Sequence, residues 1–344
     1  MVKAPNFMSS APGRLTQRDI ARLAGVSQTT VSLVLNNRGE AAARIAPETR
    51  DRVLEVIRET GYAADPLARR MLQQLNQILG VFTYEPVFPS TSGDFYYPFL
   101  HGIEESAEQV GCDLLLFTSA PVREGRRMIF HENNRLRLAD GCVLLGREIP
   151  AEELKRLVDE EYPFVCVGRR DDAGDRPVPY VGADYAAATA ELAQLAVRLG
   201  HRRFAFVGPG TGAESARDRL EGFHRVAGAD APHVREVDGA LDRIVEDGIT
   251  AVFVEYQADA VTLTRAAAAR GLEVPGDLSV VTLGDPTSPV DSPVDFSGFR
   301  IPRQEMGRQA VDLLVRRLHG EQAAVQRLLA CTLAETGTLA PPAR

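Results

Sequence analysis

Between Thr16 and Asn37 the chain reads TQRDIARLAGVSQTTVSLVLNN, and its polar side chains are spaced for one kind of chemistry. Gln28 and Thr29 follow the turn Ala24-Gly25-Val26 and a capping Ser27, and they open a helical pattern that runs to about Leu35. An amide and a hydroxyl at the start of a helix, held behind a turn of fixed angle, suit entry into a major groove and bonding to base edges. Gly25 supplies the positive φ that such a turn needs. A first helix is expected from about Thr16 to Leu23, with Thr16 as its cap and Asp19 three residues on in a weakened capping box. Ile20, Leu23, Val26, Val31 and Val34 are expected to form the inner face.

Groups able to break or make bonds are harder to find. The histidines, His101, His131, His201, His224, His233 and His319, have no metal-ligand spacing, and neither HExxH nor GxSxG occurs. No catalytic set, cofactor or metal is therefore expected. Gly208-Pro-Gly-Thr-Gly212 follows a strand pattern and precedes a helical one, so its amides could cradle an anion or simply make a tight turn. It lacks the GK[ST] ending of a nucleotide-binding loop and does not complete GxGxxG. Arg217 lies just beyond the strand Phe204–Val207, where a planar guanidinium could hold paired hydroxyls, a carboxylate, or a surface ion-pair partner. Asp285 follows the strand Ser279–Leu283 in the same way. Phe95, Tyr96 and Tyr97 precede Phe99 and could wall a pocket or fill a core.

These groups need elements to position them. A third helix is expected from Pro47 to Thr60, with Pro47 at its first position, Gly61 past its end, and Val53, Leu54, Val56 and Ile57 as its apolar face. Residues 14–62 then form a three-helix, helix-turn-helix head behind a flexible arm, 1–13. Asp65 and Pro66 start a short helix over about 66–74 that carries Arg69, Arg70 and Met71. Alone it is marginal, so 63–76 reads as a linker or as a segment that orders on a partner surface. From Gln77 to Arg344 short apolar runs alternate with helical patterns. Strands are expected at Ile78–Thr83, Asp113–Thr118, Cys142–Leu145, Phe164–Val167, Phe204–Val207, Ala251–Val254 and Ser279–Leu283. Helices are expected near Pro98–Gln109, Ala151–Glu160, Asp184–Leu199, Ala216–Val226, Asp259–Arg270 and Arg303–Leu318. Continuous β-branched and aromatic runs between helices mean parallel strands buried on both faces. The fold class is an α-helical head followed by two doubly wound α/β lobes with a cleft between them. Crossings between lobes are placed near 168–184, near 284–300 and in the C-terminal segment.

Composition agrees with a soluble globular chain: of 344 residues, 44% are hydrophobic and 25% charged. No apolar run approaches the ~20 residues of a membrane span, and no signal peptide is legible, so the cytoplasm is expected. The four cysteines are far apart in apolar runs and read as small buried hydrophobes. Residues 1–76 hold 11 Lys+Arg against 7 Asp+Glu, while the remainder holds 28 against 40. A basic head on an acidic body suits a nucleic-acid partner for the head alone.

Taken together, DIARLAGVSQTTVSLVLNN, PETRDRVLEVIRETGY, LARRM, LGHRRFAFVG, SARDRLEGF, RGLEVPGDLSVV and EMGRQAVDLL resemble the lactose-repressor/galactose-repressor (LacI/GalR) family of bacterial transcription regulators. The resemblance implies a homodimer that binds a pseudo-palindromic operator in double-stranded DNA under control of a small-molecule effector, a sugar or sugar derivative. It places Gln28 and Thr29 at base-reading positions and Thr16, Ser27, Thr30, Ser32 and Asn36 at the phosphate backbone. Leu33 stands where some members carry a base-contacting arginine. Met71 stands where a leucine wedges into the central base step, and methionine is also an apolar wedge. In the body it implies a periplasmic-binding-protein-like fold with effector contacts at Phe95, Tyr96, Arg217, Tyr256, Gln257 and Asp285. Tyr256-Gln257 replaces the usual Asn-Asp, Gly284-Asp285 replaces paired aspartates, and Gly168 stands where some members carry an aspartate. Fewer hydroxyl-binding carboxylates favour a more apolar, differently substituted or phosphorylated ligand. The ending TLAPPAR carries no heptads, so a dimer is expected rather than a tetramer. The alternative is a small-molecule carrier or sensor whose head no longer binds specific DNA, a reading that Leu33 and Met71 favour.

Overall fold

The computed structural model describes residues 17–36, 45–60, 75–85, 93–123, 125–132, 134–286, 290–321 and 324–343. The expected arm, Thr16, the tip of the loop before Pro47, and the linker helix with Met71 lie outside these residues. Two compact units are present, residues 1–76 and 77–344.

In the first unit, α1 spans Gln17–Ala24, α2 Gln28–Asn36 and α3 Pro47–Thr60. Gly25 has φ +64°. Its amide donates to the Arg22 carbonyl, and the Val26 amide donates to that of Ala21 at 2.9 Å. That pair of bonds ends α1 in the left-handed manner glycine permits. The Ser27 Oγ accepts from the Thr30 amide at 3.1 Å, capping α2 as expected. Replacing Ser27 by Ala is expected to cost about 1 kcal/mol of local stability. Faster amide hydrogen exchange confined to α2 would report it.

Ile20, Ala21, Ala24, Val31, Val34 and Val53 form the small core, with Val26, Ile45, Val56 and Ile57 packed against it. Two expected core residues are not in it: Leu23 is 54% exposed and Leu54 37%. At 3.6 residues per turn, each lies about 60° outside the buried arc of its own helix. Ala21 and Ala24 turn α1 inward on its small side, which leaves Leu23 out.

The second unit holds two six-stranded sheets. In the first lie β1 (Ile78–Thr83), β2 (Asp113–Phe117), β5 (Gly141–Leu145), β6 (Phe164–Val167), β7 (Tyr180–Ala183) and β13 (Gln326–Leu329), ordered β13-β7-β6-β5-β1-β2 and wholly parallel. In the second lie β8 (Phe204–Val207), β9 (His233–Val234), β10 (Ala251–Val254), β11 (Ser279–Thr282), β12 (Ser297–Arg300) and β14 (Thr332–Ala334), ordered β14-β12-β11-β10-β8-β9. Only β14 runs antiparallel there. A two-residue hairpin, β3 (Val122–Arg123) with β4 (Arg126–Arg127), stands apart. The helices are α4 (Gly93–Gln109), α5 (Ala151–Asp159), α6 (Tyr185–Arg198), α7 (Glu214–Ala227), α8 (Ala240–Glu246), α9 (Gln257–Ala269) and α10 (Arg303–Leu318). The strands and helices expected from Gln77 onward are all present. The short edge strands β9, β13 and β14, together with β7, β12 and α8, are additions.

The lobe crossings fall at the ends of the stretches read in the sequence. Residues 168–184 contain β7, which belongs to the first sheet, so the chain crosses only at Asp184. There the Asp184 carboxylate caps α6 by accepting from the Ala187 amide at 2.9 Å. Residues 284–300 run between β11 and β12 of the same sheet, and the return crossing is Ile301-Pro302. From there α10 lies against α4 and the first sheet. A last crossing joins β13 to β14.

Cys142 and Cys166 are fully buried on neighbouring strands, and no cysteine is bonded to another. Burial pushes the Cys166 thiol up to about 12, which keeps it protonated and unreactive. Among the described residues, no helix is long and apolar enough to cross a membrane, and no cluster of His, Cys, Asp or Glu could hold a metal ion.

Candidate functional site

Two sites can be built from these elements, one in each unit. In the head, the opening turn of α2 leaves Ser27, Gln28 and Thr29 exposed. Thr30 is half-buried, and its hydroxyl shares a 2.9 Å hydrogen bond with Ser27. Ser32 and Leu33 are half-buried further along. Of Asn36 only the backbone is described. Sequence reading missed Arg18, an exposed residue of α1 whose Nε donates to Gln28 Oε1 at 3.4 Å. Ten residues separate the two, and only the packing of α1 on α2 brings them together. The surface thus combines an amide, hydroxyls and a guanidinium on one convex edge, the set needed for base edges and phosphates.

In the body a cavity of about 480 Å³ opens between the lobes. Its walls follow from strand order, because the residues that succeed each strand gather at the carboxyl edges of the two sheets. Gly146 to Glu148 follow β5, Gly168 to Arg170 follow β6, Glu255 to Gln257 follow β10, and Leu283 to Pro286 follow β11. From α4 come Phe95 and Tyr96, and from α6 comes Tyr185. A volume of this size suits a ligand of one or two rings.

Of the residues singled out from the sequence, Phe95, Tyr96, Tyr256, Gln257 and Asp285 line the cavity. Phe95 and Tyr96 meet edge to face at 5.0 Å. The Tyr96 hydroxyl donates to Glu85, and burial holds its phenol protonated, well above the ordinary range. Tyr96 is 2% exposed, so it serves as core and as cavity wall at once. Asp285 points its carboxylate at the chain rather than into the open space. Its Oδ1 accepts from the Ile301 amide at 2.7 Å and its Oδ2 from Arg303 Nη1 at 2.7 Å. It therefore pins the Ile301-Pro302 crossing.

Arg217 lies outside the cavity. Its side chain is 46% exposed, and Nη2 donates to Asp171 Oδ2 at 2.6 Å. Two residues along α7 turn the helix by about 200°, so Arg219 faces inward instead. The Arg219 guanidinium lies 4.0 Å over the Tyr185 ring, donating from Nε to the Leu283 carbonyl at 2.6 Å and from Nη1 to that of Ser215 at 2.9 Å. The signal that separates them is helical phase relative to Ala216, Gly222 and Phe223, which are buried on α7.

The glycine loop after β8 finds its anion within the protein. The Gly210 amide donates to Glu255 Oε2 at 3.0 Å, and a side chain at Gly208 would collide with Glu255 at 2.5 Å. Along one rim the lobes are joined by charge. Arg169 holds Asp218 through both Nε and Nη2, at 2.7–3.0 Å, and Arg170 holds Glu214 at 3.0 Å. Asp171 completes the rim: burial opposes its charge, yet hydrogen bonds from Arg217 and Arg169 keep its carboxyl below the usual range.

Sequence comparisons agree with both halves. Residues 16–65 match the model of bacterial regulatory proteins, lacI family, and residues 193–338 match the periplasmic binding protein-like domain. The ribose operon repressor of Escherichia coli is 28% identical over 91% of this chain and 96% of its own. A lac repressor dimer bound to operator and an anti-inducer shares the fold with a TM-score of 0.72, at 20% identity over 95% of this chain and all of its own. A transcriptional regulator CelR-cellobiose complex shares it at 0.61, with 25% identity over 94% of this chain and all of its own. Head and body therefore define a class, a helix-turn-helix unit carried in one chain with a two-lobed binding-protein body. The chain belongs to the lacI family of bacterial regulatory proteins, whose members are DNA-binding regulators rather than enzymes.

Proposed function

We propose that this protein is a homodimeric transcriptional repressor of the cytoplasm, with operator affinity controlled by a sugar or sugar-like effector in the interlobe cavity and no catalytic activity there. The observation that carries this reading is the exposed Gln28-Thr29 edge of a capped second helix, in one chain with a cleft of ligand size. The E. coli relative is a ribose operon repressor, and the CelR relative is a cellobiose complex, which supports a sugar as the effector class. The lac repressor neighbour is a dimer on its operator, which supports two heads on a palindrome. Gln28 and Thr29 read bases, while Thr16, Ser27, Thr30, Ser32 and Asn36 hold phosphates. Arg18 is added to this set. Leu33 shifts half-site preference, and Met71 wedges at the central step. In the cavity, Arg219 takes the ligand-holding role that sequence reading gave to Arg217. A ligand that binds one lobe angle better than the other shifts the balance between DNA-competent and incompetent states.

An anisotropy titration of the full chain against a palindrome library tests the reading. Tight, salt-dependent binding to a narrow set of sites is expected. Binding of equal weakness to all of them would sink the idea. Gln28→Ala is expected to relax preference at one base pair of each half-site by about 1–3 kcal/mol. An equal loss on every sequence would show that Gln28 touches only the backbone.

A further inference from the structure

The two lobes are joined by charge outside the segments that cross between them. Arg169, Arg170 and Asp171 follow β6 in the first lobe, and Glu214, Arg217 and Asp218 lie in the opening turns of α7 in the second. Spacings of three and four residues put the α7 set on one face of its helix. Arg169 Nε donates to both oxygens of Asp218, Arg170 holds Glu214 at 3.0 Å, and Arg217 holds Asp171 at 2.6 Å. Each of these pairs spans the cleft. Within the lobes, Asp171 also takes Arg169 at 2.8 Å, and Glu214 lies 4.0 Å from Arg217. Three cations and three anions thus form one connected, neutral network.

Much of it is buried. Arg170 is 4% exposed, and its Nη2 donates to the Gly146 carbonyl at 2.5 Å, which anchors it to the loop after β5. The side chain of Asp218 is 10% exposed and that of Glu214 13%. The lobes also touch in shape beside the network, since a side chain at Gly212 would come within 2.7 Å of Glu148 Oε1. Fork geometry and burial make the Arg169 and Arg170 pairs stronger than exposed ones, whereas Arg217 with Asp171 is half-exposed and adds little. None of the six residues lies in a crossing, at Asp184, at Ile301-Pro302 or between β13 and β14. Parting the lobes at this rim must therefore break these pairs. Parting also returns water to all six charged groups, which keeps the closed rim within reach of a ligand's binding energy.

We infer that this network is a latch: the chain's own charges hold the lobes together at this rim without a ligand, through Arg169 with Asp218 and Arg170 with Glu214. The inference concerns the body alone and does not need effector control of DNA binding. Removing one partner leaves a buried charge unanswered, and the open rim is where that charge regains water. Neutralising both partners of a pair leaves no such charge.

A distance measurement across the cleft of the full chain tests this, with no ligand added. Spin labels are attached through Lys155→Cys on α5 and Glu246→Cys on α8, exposed residues of opposite lobes. The background is Cys112→Ser with Cys331→Ser, because Cys142 and Cys166 are fully buried. Labelled protein is diluted into excess unlabelled protein, so that only distances within one chain are read. A single short distance is expected without further substitution. Arg169→Gln, and separately Glu214→Gln, is expected to enlarge a longer-distance population at least about tenfold. Arg169→Gln combined with Asp218→Asn is expected to return most of it to the short distance, which loss of packing alone would not do. Melting temperatures report that each variant is folded, and the two pairs give independent readings. Single variants that keep the native distance would overturn the inference. So would a double variant as open as the singles, since shape rather than charge would then close the rim. Operator affinity in the same samples separates the two readings. Lobes that open without any change in operator binding would uphold the latch and defeat control of DNA binding by lobe angle.

Discussion

Arg219→Gln is expected to lower the affinity for the releasing ligand by one to two orders of magnitude, whereas Arg217→Gln changes it by less than about threefold. The two residues are neighbours in SARDRLEGF, and the contrast follows from their surroundings. Arg219 is stacked on Tyr185 inside the cleft, and charge-assisted hydrogen bonds to a bound ligand contribute roughly 1.5–3 kcal/mol. Glutamine keeps a donor but loses the charge and the fork, and it also releases the Leu283 carbonyl at the head of the loop that carries Asp285. Arg217 makes a rim ion pair with an exposed partner, and pairs of that kind contribute about 0–1 kcal/mol. Titrating each variant, with operator present, against the sugars, sugar phosphates and sugar acids that release the native protein decides the matter. Equal losses at both positions would show that the effector is held at the rim rather than in the cavity.

Gly102→Ala is expected to destabilise the body by more than about 3 kcal/mol, above the usual range for overpacking. A Cβ at Gly102 would lie 1.9 Å from the Gln304 carbonyl oxygen and 3.0 Å from the Arg308 amide. The approach is reciprocal, since a Cβ at Gly307 would lie 2.2 Å from the Phe99 carbonyl. These obstacles are backbone, so no rotamer change relieves them, and α4 must separate from α10 along their whole contact. That contact is where the chain returns to the first lobe after the Ile301-Pro302 crossing. The separation would also move Phe95 and Tyr96, which α4 carries into the cavity. Urea unfolding of the variant measures the loss. An unchanged midpoint would show that the two helices do not meet at their glycines.

Much of this molecule is written in local pattern. The Ser27 cap, the Gly25 turn, the α3 boundaries and the central strands of both sheets depend on contacts within a few residues, so their signals lie side by side in the chain. The lacI-family head is legible for the same reason, because its reading edge is a turn and the helix after it. Asp285 is legible through a general rule of parallel sheets, that residues just past the carboxyl end of a strand reach the cleft, whereas Phe95 and Tyr96 stand out only as an aromatic cluster at the start of a helix.

Other features depend on which surfaces meet. Edge strands β13 and β14 are only four and three residues long, too short to show a period, and become strands because β7 and β12 offer free edges. Leu23 stays outside because two alanines, not two leucines, face α2. Arg18 joins Gln28 across a helix packing that no spacing announces. The choice between Arg217 and Arg219 turns on which side of α7 meets the rest of the body. Local sequence sufficed for the capped helices, the strand runs and the polar edge of α2, since propensity and hydrogen bonding there act over three or four residues. Which arginines enter the cleft, and which are neutralised at its rim, was settled by tertiary packing, because charge pairing and burial depend on groups brought together from distant parts of the chain.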